Sequence, residues 1–425
     1  MTYWRFYWPL ALTGMGMVLS IQFQNATLAR YPNAVTELAV LALAYGVFGF
    51  FNASLQFISQ LANVFARSRQ ANRRTWQFVV MTSITVMLPL LILASTTFGN
   101  TLISGVFDLS GELSRRVTSY LFMMCPLILL NAQRHFLSGL LIQAHLTGWV
   151  TVCNFVYLAS VIVFLIAGFT LDGTPMIVIV GAELTGVSLL NALLWLVKNQ
   201  HYEPPQEIIT EKISFQTLFE FFVPVSTTGV MFALSRPVLF AFVARTPDGL
   251  LTIAALRIAF DFSMIFQQAA NQFRHFFISF GFDDLVGKQK FMRQIAIGIT
   301  AIMLVFSLTP LANWLWGDLM NVPNGLIELA IEVLLVMCLM PTVIIYRNYF
   351  HSRLMHLRQT SSMAYGSTVR VLGIFAAAGL FHALDWLNHI SAAGILIFGF
   401  LIEAFIAQQA NRRLSQAAKK TSTQS

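Results

Sequence analysis

The sequence predicts an all-α polytopic membrane protein whose twelve transmembrane helices form two pseudo-symmetric six-helix lobes. Three observations predict this class: an apolar composition, twelve apolar windows along the chain, and a first half that repeats in the second. The chain of 425 residues is 57% hydrophobic and 10% charged, and its mean hydropathy is +0.70. A chain of this length and composition requires lipid rather than water around its surface.

The apolar windows are long enough to cross a hydrocarbon layer of about 30 Å. We number them spans 1 to 12, and they fall at residues 6–28, 38–64, 76–98, 117–141, 148–170, 175–197, 218–242, 250–276, 294–315, 325–350, 362–382 and 391–410. Span 1 follows a single early cation and is longer than the apolar region of a cleavable signal peptide, so we expect it to remain as a membrane span.

The predicted domains follow from these windows. We expect an N-terminal six-helix lobe at 1–198, a cytoplasmic linker at 199–216 and a C-terminal six-helix lobe at 217–410. The remaining residues, 411–425, are polar, basic and rich in Ser, Thr and Gln, a composition that predicts a disordered cytoplasmic tail.

Spans 1 and 7 match position for position at one constant offset, which we call the first offset. The matched pairs are Pro9 and Pro224, Thr13 and Thr228, Gly14 and Gly229, Ser20 and Ser235, and Arg30 and Arg245. Apolar periodicity alone does not align prolines and terminal arginines. Internal repeats of this length are typical of transporters, which place a shared site between the two copies.

Span 2 and span 8 carry paired amides at the first offset. Asn52 and Gln56 fall on Gln267 and Asn271, and each pair is four residues apart, so its members share one helical face. Buried amides are costly in lipid, so these faces turn towards other helices or water. One interpretation is hydrogen bonding that holds the bundle together, and the other is the polar lining of a central cavity.

Arginines distinguish the second half from the first. Arg236 stands where the first copy has Ile21, and it has no carboxylate within a helical turn, so we expect its guanidinium to be unpaired. Arg257 and Asp261 are spaced to form a structural ion pair. Guanidinium groups bind carboxylates and phosphates through two hydrogen bonds. Since Arg274 adds a deeper positive charge, we expect Arg236 and Arg257 to bind an anionic substrate.

Spans 4 and 10 also repeat, at a slightly shorter separation that we call the second offset. It relates Arg134 to Arg347, Leu141 to Leu354 and Thr147 to Thr360. Both arginines lie towards the predicted cytoplasmic end of their span. One interpretation is that they extend to the lipid headgroups without further function.

Three carboxylates are candidates for coupling transport to an ion gradient. We place Asp261 first because it lies on the predicted cavity face, and we add Glu183 and Glu403, which also lie in spans. In the alternative interpretation these carboxylates are structural partners of buried cations such as Arg370.

The segment from Leu234-Ser235-Arg236-Pro237 to Phe242-Val243-Ala244-Arg245 is similar to the corresponding stretch of the progressive ankylosis (ANK) family. The opening Trp8-Pro9-Leu10 and the region 126–148 are similar in character. This family belongs to the multidrug/oligosaccharidyl-lipid/polysaccharide (MOP) exporter superfamily, which the two repeated lobes also resemble, and the resemblance implies a MATE-like fold. It also implies export of pyrophosphate, nucleotide and citrate-like anions.

The function expected from residues and resemblance together is a secondary active transporter that exports small polyvalent anions by alternating access of two lobes. Two alternatives stay open, a flippase for lipid-linked precursors and a multidrug cation exporter. Multidrug extruders of the superfamily place an acidic residue in span 1. This chain has Gln22 and Asn25 there, which we expect to contact substrate, and no acidic residue precedes Glu37.

Charge distribution predicts the orientation in the membrane. Of 26 Lys and Arg residues, Arg30, Arg115, Arg116 and Arg245 fall on one side and six fall within spans, which leaves sixteen on the side of both termini. By the positive-inside rule both termini are cytoplasmic, and we expect the inner membrane of a bacterium.

Several other functions lack a sequence signal. Neither a catalytic triad, a phosphate loop nor a zinc-binding spacing is present, and the three cysteines stand apart within apolar runs. We therefore expect no enzymatic activity, no cofactor, no metal and no nucleic-acid partner. The expected partners are a small anionic substrate and the lipid bilayer, and the expected state is a monomer.

Overall fold

The computed structural model describes residues 2–28, 30–32, 34–107, 110–204, 213–243, 245–319 and 324–422. These residues form helices joined by turns, and no strand occurs among them, so the predicted all-α class is confirmed. The helices are α1 (Thr2–Leu28), α2 (Ala34–Ala53), α3 (Ile58–Phe65), α4 (Arg69–Ser95), α5 (Thr97–Phe107), α6 (Gly111–Gln143), α7 (Thr147–Thr170), α8 (Pro175–His201), α9 (Phe215–Val243), α10 (Gly249–Asn271), α11 (Phe273–Phe280), α12 (Leu285–Leu308), α13 (Leu311–Asn313), α14 (Asn324–Met337), α15 (Met340–His356), α16 (Ser361–Ala383) and α17 (His389–Ser422).

Nine helical segments of the described residues are long and apolar enough to cross a membrane. They correspond to predicted spans 3 to 7 and 9 to 12. Spans 1, 2 and 8 correspond to α1, to α2 with α3, and to α10 with α11. A helix therefore stands at each of the twelve predicted spans.

The outer surface of the helices is apolar. Ile166 of α7, Leu372 of α16 and Phe405 of α17 are 60%, 61% and 57% exposed. Large apolar side chains at this exposure are costly in water and favourable in hydrocarbon. This surface is that of an integral, multi-pass membrane protein.

The helix bounds repeat at the first offset, the one that relates Pro9 to Pro224. It relates the end of α1 at Leu28 to the end of α9 at Val243, and the start of α2 to the start of α10. The break inside the segment repeats as well, because α3 begins at Ile58 and α11 begins at Phe273. The two copies therefore share their local geometry as well as their residues.

The turns in the second part of each copy repeat at the second offset. His145 and Arg358 have φ values of 60° and 57°, and Asp172 and Asp385 have values of 54° and 55°. After each of these residues the next amide donates to the carbonyl five residues before it. This is the Schellman pattern, which ends a helix in the left-handed region. All four turns thus stop their helices in the same way.

Close helix packing also repeats at the second offset. A Cβ atom added to Gly186 of α8 would lie 3.0 Å from Tyr157 of α7, and one added to Gly399 of α17 would lie 3.1 Å from Arg370 of α16. The offset relates the first glycine to the second and the tyrosine to the arginine. Tyr157 and Arg370 are therefore equivalent positions in the two copies.

Two compact units divide the chain, an N-terminal unit at Met1–Gly229 and a C-terminal unit at Val230–Ser425. Their boundary lies within α9, later than the predicted linker at 199–216, of which residues 205–212 lie outside the described part. The C-terminal segment also differs from the prediction, because α17 continues to Ser422 and Asn411 is buried, donating to the Phe350 carbonyl at 3.2 Å. Ala, Gln, Lys and Arg favour helix, so a polar composition did not imply disorder here.

Candidate functional site

A cavity of about 130 Å³ lies within the C-terminal unit, and Arg236 of α9 is the charged residue of its lining. Ser235 and Gln267 contribute polar groups, and Phe232 and Phe400 contribute aromatic rings. Arg236 and Gln267, both predicted to contact substrate in a cavity between the lobes, line this cavity within one unit, and their contact with substrate stays a prediction. A cationic wall beside hydroxyl and amide groups provides the contacts that a small anion requires.

Arg236 is paired, contrary to the sequence analysis. Its Nη1 donates to Asp261 Oδ1 at 3.0 Å, its Nη2 donates to the Phe260 carbonyl at 3.2 Å, and its guanidinium lies 5.2 Å from the centre of the Phe260 ring. The expectation of an unpaired guanidinium was wrong because Asp261 lies on the neighbouring helix α10. The spacing of residues along α9 cannot reveal a partner on another helix. The pair remains accessible, with side-chain exposures of 30% for Arg236 and 47% for Asp261.

The predicted amides have different surroundings within their own units. Gln267 is buried beside the cavity and donates to Ser263 Oγ at 3.0 Å. Asn52 accepts from Asn131 Nδ2 at 3.1 Å, which is a bond between helices of the N-terminal unit. Gln56 is exposed. The cavity interpretation therefore fits Gln267, and the bundle-holding interpretation fits Asn52.

Three further predicted site residues have side chains outside the described part of the structure. Arg257 belongs to the backbone of α10, and Gln22 and Asn25 belong to that of α1. The proposed pairing of Arg257 with Asp261 and the substrate contacts of Gln22 and Asn25 stay predictions.

Glu183 is the centre of a polar cluster in the N-terminal unit. Tyr157 of α7 donates to its Oε1 at 2.9 Å, and Gln24 of α1 donates to its Oε2 at 2.9 Å. Tyr45 of α2 extends the cluster by donating to Gln24 Oε1 at 3.1 Å. The charge of Arg134 also acts on this carboxylate. Sequence reasoning named Glu183 but missed both tyrosines, because no sequence spacing links helices so far apart.

Glu403 is the centre of a second cluster, in the C-terminal unit. Arg370 of α16 donates to its Oε2, and Arg347 of α15 donates to the same oxygen at 3.2 Å. His351 Nε2 lies 3.6 Å from Glu403 Oε1. All four side chains are at most 1% exposed. The interpretation that Arg347 extends to the headgroups is therefore wrong, since burial and an ion pair hold it inside the unit.

A third arginine joins this cluster through amide oxygens. Arg274 of α11 donates through Nε to Asn348 Oδ1 at 3.0 Å and through Nη2 to Asn271 Oδ1 at 3.1 Å. Arg347 donates to the same two oxygens, at 3.1 Å and 3.3 Å. Asn271, predicted to line the cavity, instead holds two buried guanidinium groups together. Asn348 was missed because the equivalent position in the first copy is His135, so the repeat did not mark it as an amide.

The two clusters use equivalent helices but different charges. Arg134 corresponds to Arg347, and Tyr157 corresponds to Arg370, at the second offset. The carboxylates do not correspond, because Glu403 stands about two helical turns along α17 beyond Leu396, the position equivalent to Glu183. Neutral hydroxyl and amide groups bind the first carboxylate, and guanidinium groups bind the second.

Within the described residues, His, Cys, Asp and Glu side chains form no group of three or more that could hold a metal ion. The three cysteines are buried and unbonded to one another.

Solved structures of MATE transporters share this fold. One, described as MATE in the bent conformation, has a TM-score of 0.76 at 13% identity, with 99% of this chain and 96% of that chain covered. A eukaryotic MATE transporter, AtDTX14, has a TM-score of 0.72 at 12% identity, with 96% and 94% covered. At these identities the likeness shows the fold, which is that of the MATE and MOP superfamily transporters.

A MOP superfamily transporter from Pyrococcus furiosus is also similar, with a TM-score of 0.71 at 12% identity, and 98% of this chain and 96% of that chain covered. That protein is described as having a binding pocket of reverse polarity that suggests a different function. The sequence family is shown separately, because the model of the progressive ankylosis protein (ANKH) matches residues 1–259, more than half of the chain. This confirms the resemblance found in the Ser235-Arg236-Pro237 segment, and the chain belongs to the progressive ankylosis protein family.

Proposed function

We propose that this chain is a secondary active transporter that exports small polyvalent anions by alternating access of its two units. The observation that carries the proposal is Arg236, which lines a cavity in the C-terminal unit beside Ser235 and Gln267. Its partner Asp261 is about half exposed. A guanidinium paired at an accessible site can exchange its partner for a substrate carboxylate or phosphate of the same geometry.

The charge of the C-terminal unit favours an anion over a cation. Arg274, Arg347 and Arg370 lie buried in the same unit, and Glu403 is the carboxylate that Arg347 and Arg370 share. Positive charge therefore predominates around the cavity and raises the local concentration of anions. These arginines would repel a cationic substrate, and a carboxylate at the site would be needed to offset that repulsion.

The three predicted coupling carboxylates differ in what surrounds them. Glu403 contacts two guanidinium groups and is held ionised by them. Glu183 contacts a tyrosine hydroxyl and an amide, which also accommodate a protonated carboxyl. We therefore assign coupling to Glu183, and we assign to Asp261 the release of Arg236 when substrate binds.

The orientation proposed from the sequence places both termini in the cytoplasm of a bacterium. The excess of Lys and Arg on the side of the termini supports it. With this orientation, export carries the substrate from the side of the termini to the opposite side.

The two alternative functions make different demands on the site. A multidrug cation exporter of this superfamily uses an acidic residue in its first span, whereas no acidic residue precedes Glu37 here. A flippase for lipid-linked precursors also favours arginine, and a lateral opening with a long hydrophobic groove would distinguish it. Charge therefore favours an anionic substrate over a cationic one.

The test is a transport screen in proteoliposomes. Citrate, pyrophosphate and a nucleotide are offered as radiolabelled substrates, with and without proton and sodium gradients, and a fluorescent cationic dye serves as the comparison. We expect uptake of at least one anion, driven by the proton gradient, and no dye movement. Movement of the dye without any anion would overturn the proposal.

A further inference from the structure

The cluster around Glu403 carries more positive charge than its own residues neutralise. Arg347 and Arg370 both donate to Glu403, whereas Arg274 donates to the amide oxygens of Asn348 and Asn271. The three arginines and Glu403 are buried, with Arg370 and Glu403 fully enclosed. Arginine does not lose its proton in proteins, and unpaired charge inside a membrane protein is expensive. Two guanidinium groups that share one carboxylate leave an excess of one positive charge, which an additional anion would offset.

The hydrogen bonds within the cluster show which arginine N–H groups have no acceptor. Arg347 and Arg274 donate to Glu403 and to the oxygens of Asn348 and Asn271. Arg370 donates to Glu403 through Nη1 alone, and its Nε and Nη2 are buried without a hydrogen-bond partner, as is Glu403 Oε1 on the side of His351. Buried donors at native sites are nearly always satisfied. Two adjacent, enclosed N–H groups on one guanidinium form the edge that binds an anion through two parallel hydrogen bonds.

His351 and two aromatic rings complete the surroundings of Arg370. Both ring nitrogens of His351 are buried without a hydrogen bond, and Nε2 lies beside Glu403. The Arg370 guanidinium lies 4.6 Å from the centre of the Phe400 ring and 5.8 Å from that of Phe232. Both rings also line the Arg236 cavity. A single layer of aromatic side chains therefore separates the unused donors from the Arg236 cavity.

The N-terminal unit lacks this arrangement. The position equivalent to Arg370 is Tyr157, a neutral residue that donates to Glu183. Arg134 corresponds to Arg347, and no arginine corresponds to Arg370. The excess of arginine is thus a property of the second copy and does not follow from the duplicated fold.

We propose that the C-terminal unit holds a second anion site, separate from the Arg236 cavity, in which Arg370 binds a small inorganic anion beside Glu403 and Arg347 adds its charge. The ligand is a halide such as chloride, or an oxyanion such as phosphate, since either accepts hydrogen bonds from adjacent guanidinium N–H groups. Bound there, the anion offsets the charge excess and stabilises the packing of α11, α15, α16 and α17.

The experiment measures the melting temperature of the purified full-length protein in detergent. Sodium chloride and sodium phosphate are titrated separately against sodium gluconate at constant ionic strength. We expect one of the two small anions to raise Tm in a saturable manner, by about 2 °C at ten times its dissociation constant. The anion that saturates identifies the ligand as a halide or an oxyanion.

Two variants separate this site from the transport site. Arg370→Gln removes the unused donors and should abolish the saturable rise, whereas Arg236→Gln should keep it within about twofold in dissociation constant while transport is lost. If Arg370→Gln does not fold, Arg370→Lys keeps the charge but loses the two-donor edge and should weaken the anion about tenfold.

The proposal is overturned if neither anion produces a saturable rise, or if the response of the Arg370 variant equals that of the wild type. Loss of the rise in Arg236→Gln would also overturn it, because the anion would then belong to the Arg236 cavity. Failure of substrate transport with a retained rise would reject the proposed function and leave this site standing.

Discussion

Tyr157 and Arg370 occupy equivalent positions in the two copies, and each donates a hydrogen bond to a glutamate of the last long helix in its copy. Each also packs against the matching glycine of that helix, Gly186 or Gly399. The same pair of helices therefore holds a glutamate in both copies, but through different chemical groups. A neutral hydroxyl group binds the carboxylate in the first copy, and an ion network binds it in the second.

The environment of Glu183 leads to a prediction about coupling. We expect Glu183→Gln to fold normally, because a glutamine side chain still bonds to Tyr157 and Gln24. It cannot carry a proton, so proton-driven transport should fall about tenfold or more. Uptake into proteoliposomes with and without a proton gradient measures this. Glu220→Gln is the control, since Glu220 is an exposed carboxylate on α9, and its uptake should match the wild type.

Loss of gradient dependence with full exchange of substrate between both sides would support the coupling role. Wild-type gradient-driven uptake in Glu183→Gln would instead leave Glu183 a structural residue.

The environment of Glu403 leads to a prediction about stability. Glu403→Gln leaves the buried guanidinium groups of Arg347 and Arg370 without their carboxylate. Breaking a buried ion pair in this way costs about 3–5 kcal/mol of unfolding free energy. The melting temperature in detergent reports the loss. Glu332→Gln is the matched control, because Glu332 pairs with His389 at an exposed site and should lose no more than about 1 kcal/mol.

A Glu403→Gln protein as stable as the wild type would show that the arginines find other partners. Our description of this cluster would then be incorrect.

The crossing of α3 and α6 leads to a prediction about packing. A Cβ added to Gly139 of α6 would lie 2.4 Å from the Ser59 carbonyl oxygen and 2.8 Å from the Ala62 Cβ. Gly139→Ala should force the helices apart and destabilise the protein by about 1–3 kcal/mol. Gly46→Ala is the control, since nothing lies within 4 Å of a Cβ at that position. The melting temperatures of both variants test this prediction. Equal melting temperatures would count against the close crossing of α3 and α6.

Much of the fold could be predicted from the sequence because lipid imposes a simple rule on composition. Apolar length marked the spans, and the first offset, between spans 1 and 7, reappears in the ends of α1 and α9. The tail beyond Asn411 was the main error. Its polar composition suggested disorder, whereas a side-chain bond to α15 and good helix formers extend α17.

The candidate site could be predicted only where a helical spacing or the repeat revealed it. Arg236 was identified because it broke the repeat, but its partner Asp261 lies on another helix. Asn271 was correctly identified as a polar position, yet its role depends on Arg274 and Arg347, which only tertiary packing brings to it. Periodicity describes the face of one helix and does not specify which helix that face meets.

The most direct test of the central claim is charge reversal at Arg236, measured as uptake of the preferred anion into proteoliposomes. Arg245→Glu is the control, because Arg245 is an exposed arginine just beyond the end of the same helix. We expect Arg236→Glu to insert and fold but to lose at least about a hundredfold in uptake, while Arg245→Glu stays within about twofold of the wild type. Equal uptake by Arg236→Glu and the wild type would contradict a cationic substrate site at Arg236.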